Sequence, residues 1–273
     1  MTNIITGSDI STAAMHLFIT LLILGSFGGF LSGMLGIGGA IVMIPLMLTI
    51  PPLLGLPTLD MKTVAGLSMI QVIFASISGV LRHRRHNFVD NRLLILLGST
   101  MATGTFIGAF VSKYINNAML MIIFGILALT AGIMMFLKPP GETTDQPAEA
   151  HINLPLTLII GLIIGSVSGM VGAGGGFILI PIMIYVLRIP TRITIGTSLG
   201  VVMIGAIAGG IGKIATGQVM WLPALALILG AVPFAQLGAT VSKKLPTRVL
   251  HILLIVIITA TCIQIWWKIL FTH

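Results

Sequence analysis

The chain carries SGMLGIGGAIVMIP at residues 32–45 and SGMVGAGGGFILIP at residues 168–181. Each sets glycines side by side in the middle of a long apolar run. Glycine costs a helix interior about 1 kcal/mol relative to alanine, so several together predict a broken helix. In hydrocarbon a break survives only where the freed backbone is buried in protein or lines a wet cavity. The half-helix that restarts after the break aims its first N–H groups, and the positive end of its dipole, at one place. Such a place binds anions without a charged side chain.

Composition puts these stretches at membrane depth. Of 273 residues, 56% are hydrophobic and only 7% charged, and the mean hydropathy is +1.14. A soluble domain carries about 25% charged residues. The expected fold is therefore all-α, a polytopic transmembrane helical bundle. Apolar runs fall near 15–50, 63–81, 93–111, 118–137, 155–187, 195–212, 220–241 and 248–270. Most match the roughly 20 residues a spanning helix needs. Strand-like alternation is absent, which argues against a barrel. A formal charge of +8 would point to nucleic acid in a soluble protein. Here the cations occupy short loops, where they set topology and meet anionic headgroups. The expected partners are the lipid bilayer and a small anion, with no nucleic acid; homo-oligomerisation is left open. Residues 1–16 have no basic leader region, and the following run is too long for a cleaved signal. Cys262 is the single cysteine and excludes an intramolecular disulfide.

The two stretches belong to a whole-chain repeat. Adding 136 takes Gly25, Gly29, Ser32, Gly33, Met34, Gly36, Gly38, Gly39 and Pro45 onto Gly161, Gly165, Ser168, Gly169, Met170, Gly172, Gly174, Gly175 and Pro181. Past a loop six residues shorter in the second half, the offset becomes 130: Gly66, Ser68, Gly79, Gly108 and Ser112 match Gly196, Ser198, Gly209, Gly238 and Ser242. The chain divides into membrane repeats at 1–138 and 153–273, joined by a polar connector at 139–152 that holds Glu142, Asp145 and Glu149.

Charge selects the relation of the repeats. If each opening segment crossed once, basic loops would split evenly between the two sides. If each enters, turns at its glycines and leaves on the same side, every repeat has three full crossings and the second is inverted. Arg82, Arg84, Arg85, Arg92, Lys138, Arg188, Arg192, Lys243, Lys244 and Arg248 then share one face. Only Lys62, Lys113, Lys213 and Lys268 take the other. That asymmetry is the mark of a cytoplasmic side. Inverted repeats with broken helices at the midplane are the architecture of many secondary transporters.

Gly25, Gly29 and Gly33, like Gly161, Gly165 and Gly169, have the four-residue spacing of close helix packing. Gly36, Gly38, Gly39, Gly172, Gly174, Gly175 and Gly176 are assigned to the breaks and to anion contact. Pro45 and Pro181 fit the kinked second limbs. Ser68, Thr197 and Ser198 lie early in the next spans and could add hydroxyl donors; Gln71 follows Ser68 by one turn. The competing explanation is a hydroxyl bonded to its own helix. Arg82 and Lys213 border matched spans and would draw anions to the pore mouths.

The duplicated glycine motif, each copy followed by AGLSM (65–69) or IGTSL (195–199), resembles the TauE/SafE sulfite-exporter family. That resemblance implies a multi-pass transporter in the inner or plasma membrane. It also implies export of a small, sulfur-containing anion such as sulfite or an organosulfonate. The first half departs from the pattern, with Ala40 opposite Gly176 and Leu67 opposite Thr197.

Other chemistries are poorly served. Neither stretch fits GxGxxG, since Ile41 and Phe177 occupy its last glycine, and no P-loop follows. His83 and His86 in RHRRHNFVDNR (82–92) have only Asp90 nearby, so the segment is a topogenic loop rather than a metal site. No cofactor or metal is expected. No acid lies inside an apolar run, which argues against a membrane-embedded enzyme. The alternatives are an anion channel of the same architecture and, less favoured, a transporter of another small organic acid.

Overall fold

A computed structural model of the chain describes residues 7–84, 90–136, 154–187, 189 and 191–271. The connector acids and His86 lie outside them, as do the side chains of Arg82 and His83. The described residues form helices and contain no strand, as expected of a backbone that must satisfy its own hydrogen bonds in lipid. The first half of the chain supplies α1 (Gly7–Leu35), α2 (Ala40–Leu53), α3 (Met61–Arg84), α4 (Asn91–Val111) and α5 (Asn117–Phe136). The second supplies α6 (Leu154–Val171), α7 (Gly176–Pro181) with a π-helical continuation over Ile182–Val186, α8 (Thr191–Ala215), α9 (Trp221–Lys244) and α10 (Thr247–Phe271). Seven of them, α1, α3, α4, α5, α8, α9 and α10, are long and apolar enough to cross a membrane. Side chains such as Ile95, Ile133 and Trp267 stand exposed on the outer surface. In water that would be an anomaly; against acyl chains it is the expected outer layer.

Small residues decide which helices meet. A Cβ on Gly25 would stand 2.6 Å from Leu227 O, and one on Gly29 or Gly33 would overlap the backbone of Ala231 or Ala235. These contacts advance together, so α1 lies parallel to α9 at backbone distance. The second repeat does the same with its own set: Gly161, Gly165 and Gly169 meet Thr100, Met101 and Thr105, laying α6 parallel to α4. The GxxxG rows are packing surfaces. Each joins one repeat to the other rather than to itself.

At the centre, α3 crosses α8. These two are the most enclosed of the long helices, with 78% and 72% of their apolar windows buried. Gly79 packs on Leu199 while Gly209 packs on Met69, so the pair is antiparallel. Gly125 faces Ile265 and Gly132 faces Ile258, so α5 and α10 are antiparallel as well. Ser78 Oγ donates to Val232 O (2.8 Å), which runs α3 alongside α9. Helices matched by the repeat thus point in opposite directions.

The glycine stretches are hairpin bends. Past the first, Met43 returns to the level of Gly28. Leu54 and Leu56, at the end of α2, share a surface groove with His16, Ile19 and Thr20, near the start of α1. Lys268 Nζ (α10) donates to Leu48 O (2.6 Å) and ties down the returning limb. Pro45 sits within α2; Pro181 closes α7, where the π turn begins.

Candidate functional site

At Gly36, Gly38 and Gly39 the backbone takes φ of 74°, 75° and 78°; at Gly172, Gly174 and Gly175 it takes 75°, 62° and 79°. A side chain in this left-handed region costs about 1–2 kcal/mol per residue. Space is also closed at the first glycine of each set. A Cβ on Gly36 would stand 2.5 Å from Ile195 O, and one on Gly172 would overlap the backbone of Ala65. Ile195 and Ala65 are themselves matched by the repeat, so each bend is seated on the start of the other half's central helix.

The two bends meet. A Cβ on Gly38 would lie 3.0 Å from Val202 and 3.2 Å from Val72; one on Gly174 would lie 2.9 Å from Val72 and 3.2 Å from Val202. Val72 and Val202 are a matched pair, both fully buried. The contact is not perfectly symmetric. A Cβ on Gly176 would stand 2.7 Å from Ile37 O, whereas the matched residue in the first half, Ala40, keeps its methyl in the core.

The hydroxyls divide into two groups. Ser68 Oγ donates to Gly172 O (2.6 Å) and Ser198 Oγ donates to Gly36 O (3.2 Å). Each repeat therefore staples the other's bend, and in this state the hydroxyl protons are committed to carbonyls. Ser32 Oγ, Ser168 Oγ and both amide atoms of Gln71 are buried with no hydrogen-bond partner in the protein. Ser32 faces Gly39 and Ser168 faces Gly175. The sequence reading passed over Ser32 and Ser168 as site residues, although both open the duplicated motif. Thr197 Oγ1 accepts from Asp90 N (2.9 Å), beside the Asp90 carboxylate that caps α4 through Arg92 N and Leu93 N. Gln236 is exposed on the outer surface. Both α2 and α7 open on a left-handed glycine with no side-chain cap, so their first-turn amides face the bends.

Lys213 does not stand at an open mouth. It is fully buried and donates to Ser112 Oγ (2.7 Å), Met170 O (2.9 Å) and Gln218 Oε1 (2.9 Å). Met170 lies two residues before Gly172, so the ammonium holds the end of α6 just below the second bend. Gln218 Nε2 also donates to Ser112 Oγ (3.1 Å). Nearby, Lys62 Nζ donates to Lys113 O (2.8 Å). Sequence reading missed Ser112 and Gln218 because only the fold brings them to Lys213. Among the described residues, no three His, Cys, Asp or Glu side chains group to hold a metal ion.

A bundle of apolar helices long enough to span a membrane, with two glycine bends that touch in its interior, defines a polytopic membrane protein. The "Sulfite exporter TauE/SafE" family model matches residues 21–265, and the chain belongs to that family. It is 26% identical over 264 residues to the "Probable membrane transporter protein YunE" of Bacillus subtilis, covering 90% of this chain and 96% of that one. It is 27% identical over 244 residues to the "Probable membrane transporter protein MJ0441" of Methanocaldococcus jannaschii, covering 86% and 90%. No solved structure matches it. The chain is thus a multi-pass membrane protein of a transporter family.

Proposed function

We propose that the protein is a secondary carrier that exports small oxyanions, sulfite or small organosulfonates, across the plasma membrane. It does so by alternating access around the point where the two bends meet. One observation carries the reading: two uncapped half-helices converge on a fully buried spot edged by polar side chains without partners. The antiparallel course of matched helices supports an inverted repeat with re-entrant hairpins at α1–α2 and α6–α7. The same course puts Lys62, Lys113, Lys213 and Lys268 at one end of the bundle and Arg92, Lys243, Lys244 and Arg248 at the other, which supports the latter as the cytoplasmic end. Rocking of one repeat against the other would expose the site to each side in turn. Neutral donors suit such a carrier. They replace the anion's hydration without holding it as tightly as a fixed cation would. The family's description supplies sulfite as the leading substrate.

The test is counterflow in proteoliposomes with sulfite, sulfate, sulfoacetate, taurine and acetate. The expected result is saturable sulfite or sulfonate flux that accelerates when the opposite side is loaded. Gly38→Leu and Gly174→Leu should each abolish it. Conductance without saturation would convert the reading to a channel. Normal transport by both folded mutants would remove the bends from the site.

A further inference from the structure

Among the described residues, five buried side-chain polar atoms have no partner in the protein: Ser32 Oγ, Gln71 Nε2 and Oε1, Ser168 Oγ and Thr259 Oγ1. All but Thr259, in α10, border the bends. Ser32 and Ser168 are a matched pair, but Gln71 and its surroundings do not obey the repeat. The residue matched to Gln71 is Val201, the residue matched to Gly28 is Ile164, and the residue matched to Met43 is Leu179.

The first bend gathers the polar atoms. A Cβ on Gly28 would meet the Met43 side chain and stand 2.8 Å from Gln71 Nε2, and one on Gly39 would stand 2.5 Å from Gly28 O and 3.3 Å from Ser32 Cβ. Gly28, Ser32, Gly39 and Gln71 therefore surround one point. The uncapped start of α2 opens on that point, and α2 continues for 14 residues, long enough to carry a dipole. The second bend keeps one unpartnered hydroxyl, Ser168 Oγ, 3.1 Å from where a Cβ on Gly175 would lie, but has no side-chain amide beside it. Met101 Cε occupies the space beside Gly175, Ile164 Cγ2 lies 3.4 Å from where its Cβ would be, and Val201 is fully buried. Its half-helix has six α-helical residues before a π turn takes over at Ile182.

We propose that the protein holds one anion, at the first bend alone, and that the second bend is a structural counterpart stapled by Ser68 and underpinned by Lys213. This rests on the anion-carrier reading and adds position, stoichiometry and ligand class. Gln71 Nε2, the Ser32 hydroxyl and the first amides of α2 (Ala40 and Ile41) donate to the oxyanion. Gln71 Oε1 is an equally buried acceptor and calls for a donor from the ligand. The site therefore fits a monoanion that carries its own O–H or N–H, such as hydrogensulfite, better than one that only accepts, such as methanesulfonate. A buried amide without a partner destabilises the empty protein, and functional sites commonly retain such groups against stability.

The test uses the full chain in detergent micelles, titrated calorimetrically with hydrogensulfite and with methanesulfonate, alongside thermal melts without ligand. The expected stoichiometry is one per chain, with hydrogensulfite bound several-fold more tightly. Gln71→Leu and Ser32→Ala should each weaken hydrogensulfite by about tenfold or more, and Ser168→Ala by less than about twofold. Gln71→Leu should raise the melting temperature of the empty protein by about 2 °C or more. Equal losses from Ser32→Ala and Ser168→Ala would overturn the single-site assignment while leaving the carrier reading standing. So would a lower melting temperature for Gln71→Leu, because the amide would then have a structural role. Binding of neither anion by the wild-type protein would overturn the carrier reading, and this proposal with it.

Discussion

Two alanine substitutions at buried glycines should respond in opposite ways to a second-site change. A Cβ on Gly79 would stand 2.6 Å from Leu199 Cδ2, against the 3.4 Å at which ordinary contact begins. The leucine must yield by about 0.8 Å, a mild overpacking of about 1–3 kcal/mol. A Cβ on Gly33 instead meets the carbonyl oxygen of Ala235, and no rotamer can move a carbonyl. Helix α1 would have to lift from α9 along a seam that Gly25 and Gly29 also hold shut. We expect a loss of about 3 kcal/mol or more, at the upper limit of overpacking. Leu199→Ala, which alone costs about 2–5 kcal/mol, should couple favourably with Gly79→Ala by about 1 kcal/mol or more. Ala235→Gly, which alone costs about 1 kcal/mol, should not rescue Gly33→Ala, because it removes a methyl that is not the obstacle. Reversible SDS unfolding in mixed micelles, followed by helical circular dichroism, measures both cycles. Rescue of Gly33→Ala by Ala235→Gly would refute backbone contact between α1 and α9.

The staples should differ in strength. Ser68→Ala loses a 2.6 Å bond and should cost about 1 kcal/mol. Ser198 Oγ is 3.2 Å from both Gly36 O and Ile195 O, so Ser198→Ala should cost about half as much; equal costs by the same assay would contradict the geometry. In Lys213→Met, three lost charge-assisted bonds of about 1.5–3 kcal/mol each oppose relief of an ammonium desolvation of several kcal/mol. Net stability should move by no more than about 2 kcal/mol, while hydrogen exchange accelerates at Val171–Ala173; a loss above about 4 kcal/mol would show that the bonds dominate. For topology, single cysteines at Thr58→Cys and Lys244→Cys, on a Cys262→Ser background, should be labelled by an impermeant maleimide from opposite faces of the membrane. Labelling from one face would exclude the inverted arrangement.

The class of the protein was legible because lipid restricts the solutions. A chain this apolar must be helical, and adjacent glycines inside a span have little use except a break. The GxxxG rows were legible as packing surfaces, but their partners were not. Nothing local in Gly25, Gly29 and Gly33 names Ala231 and Ala235, some two hundred residues away. The roles of hydroxyls were the least legible. Ser68, Thr197 and Ser198 look alike in sequence, yet two staple bends and the third meets the start of α4. A hydroxyl's one proton goes to whichever acceptor the fold presents. Ser32 and Ser168 were visible as repeated residues, but their lack of partners is a property of three-dimensional surroundings. Lys213 shows the same limit. Its position near a span end predicted an open mouth, and the C-terminal end of α6 closes over it.

The seam between α1 and α9 also constrains how the protein is made. The small face of α1 enters the membrane long before Ala231 and Ala235 have been synthesised. Through most of translation it has only lipid, or the insertion machinery, against it. The parallel seam of α6 on α4 meets no such delay, since α4 is already present when α6 emerges. The second repeat therefore has a template to assemble on, and the first waits for the second. Truncation anywhere before α9 should leave α1 unpaired and exposed to membrane quality control. Two half-chains expressed together should recover the fold that neither reaches alone.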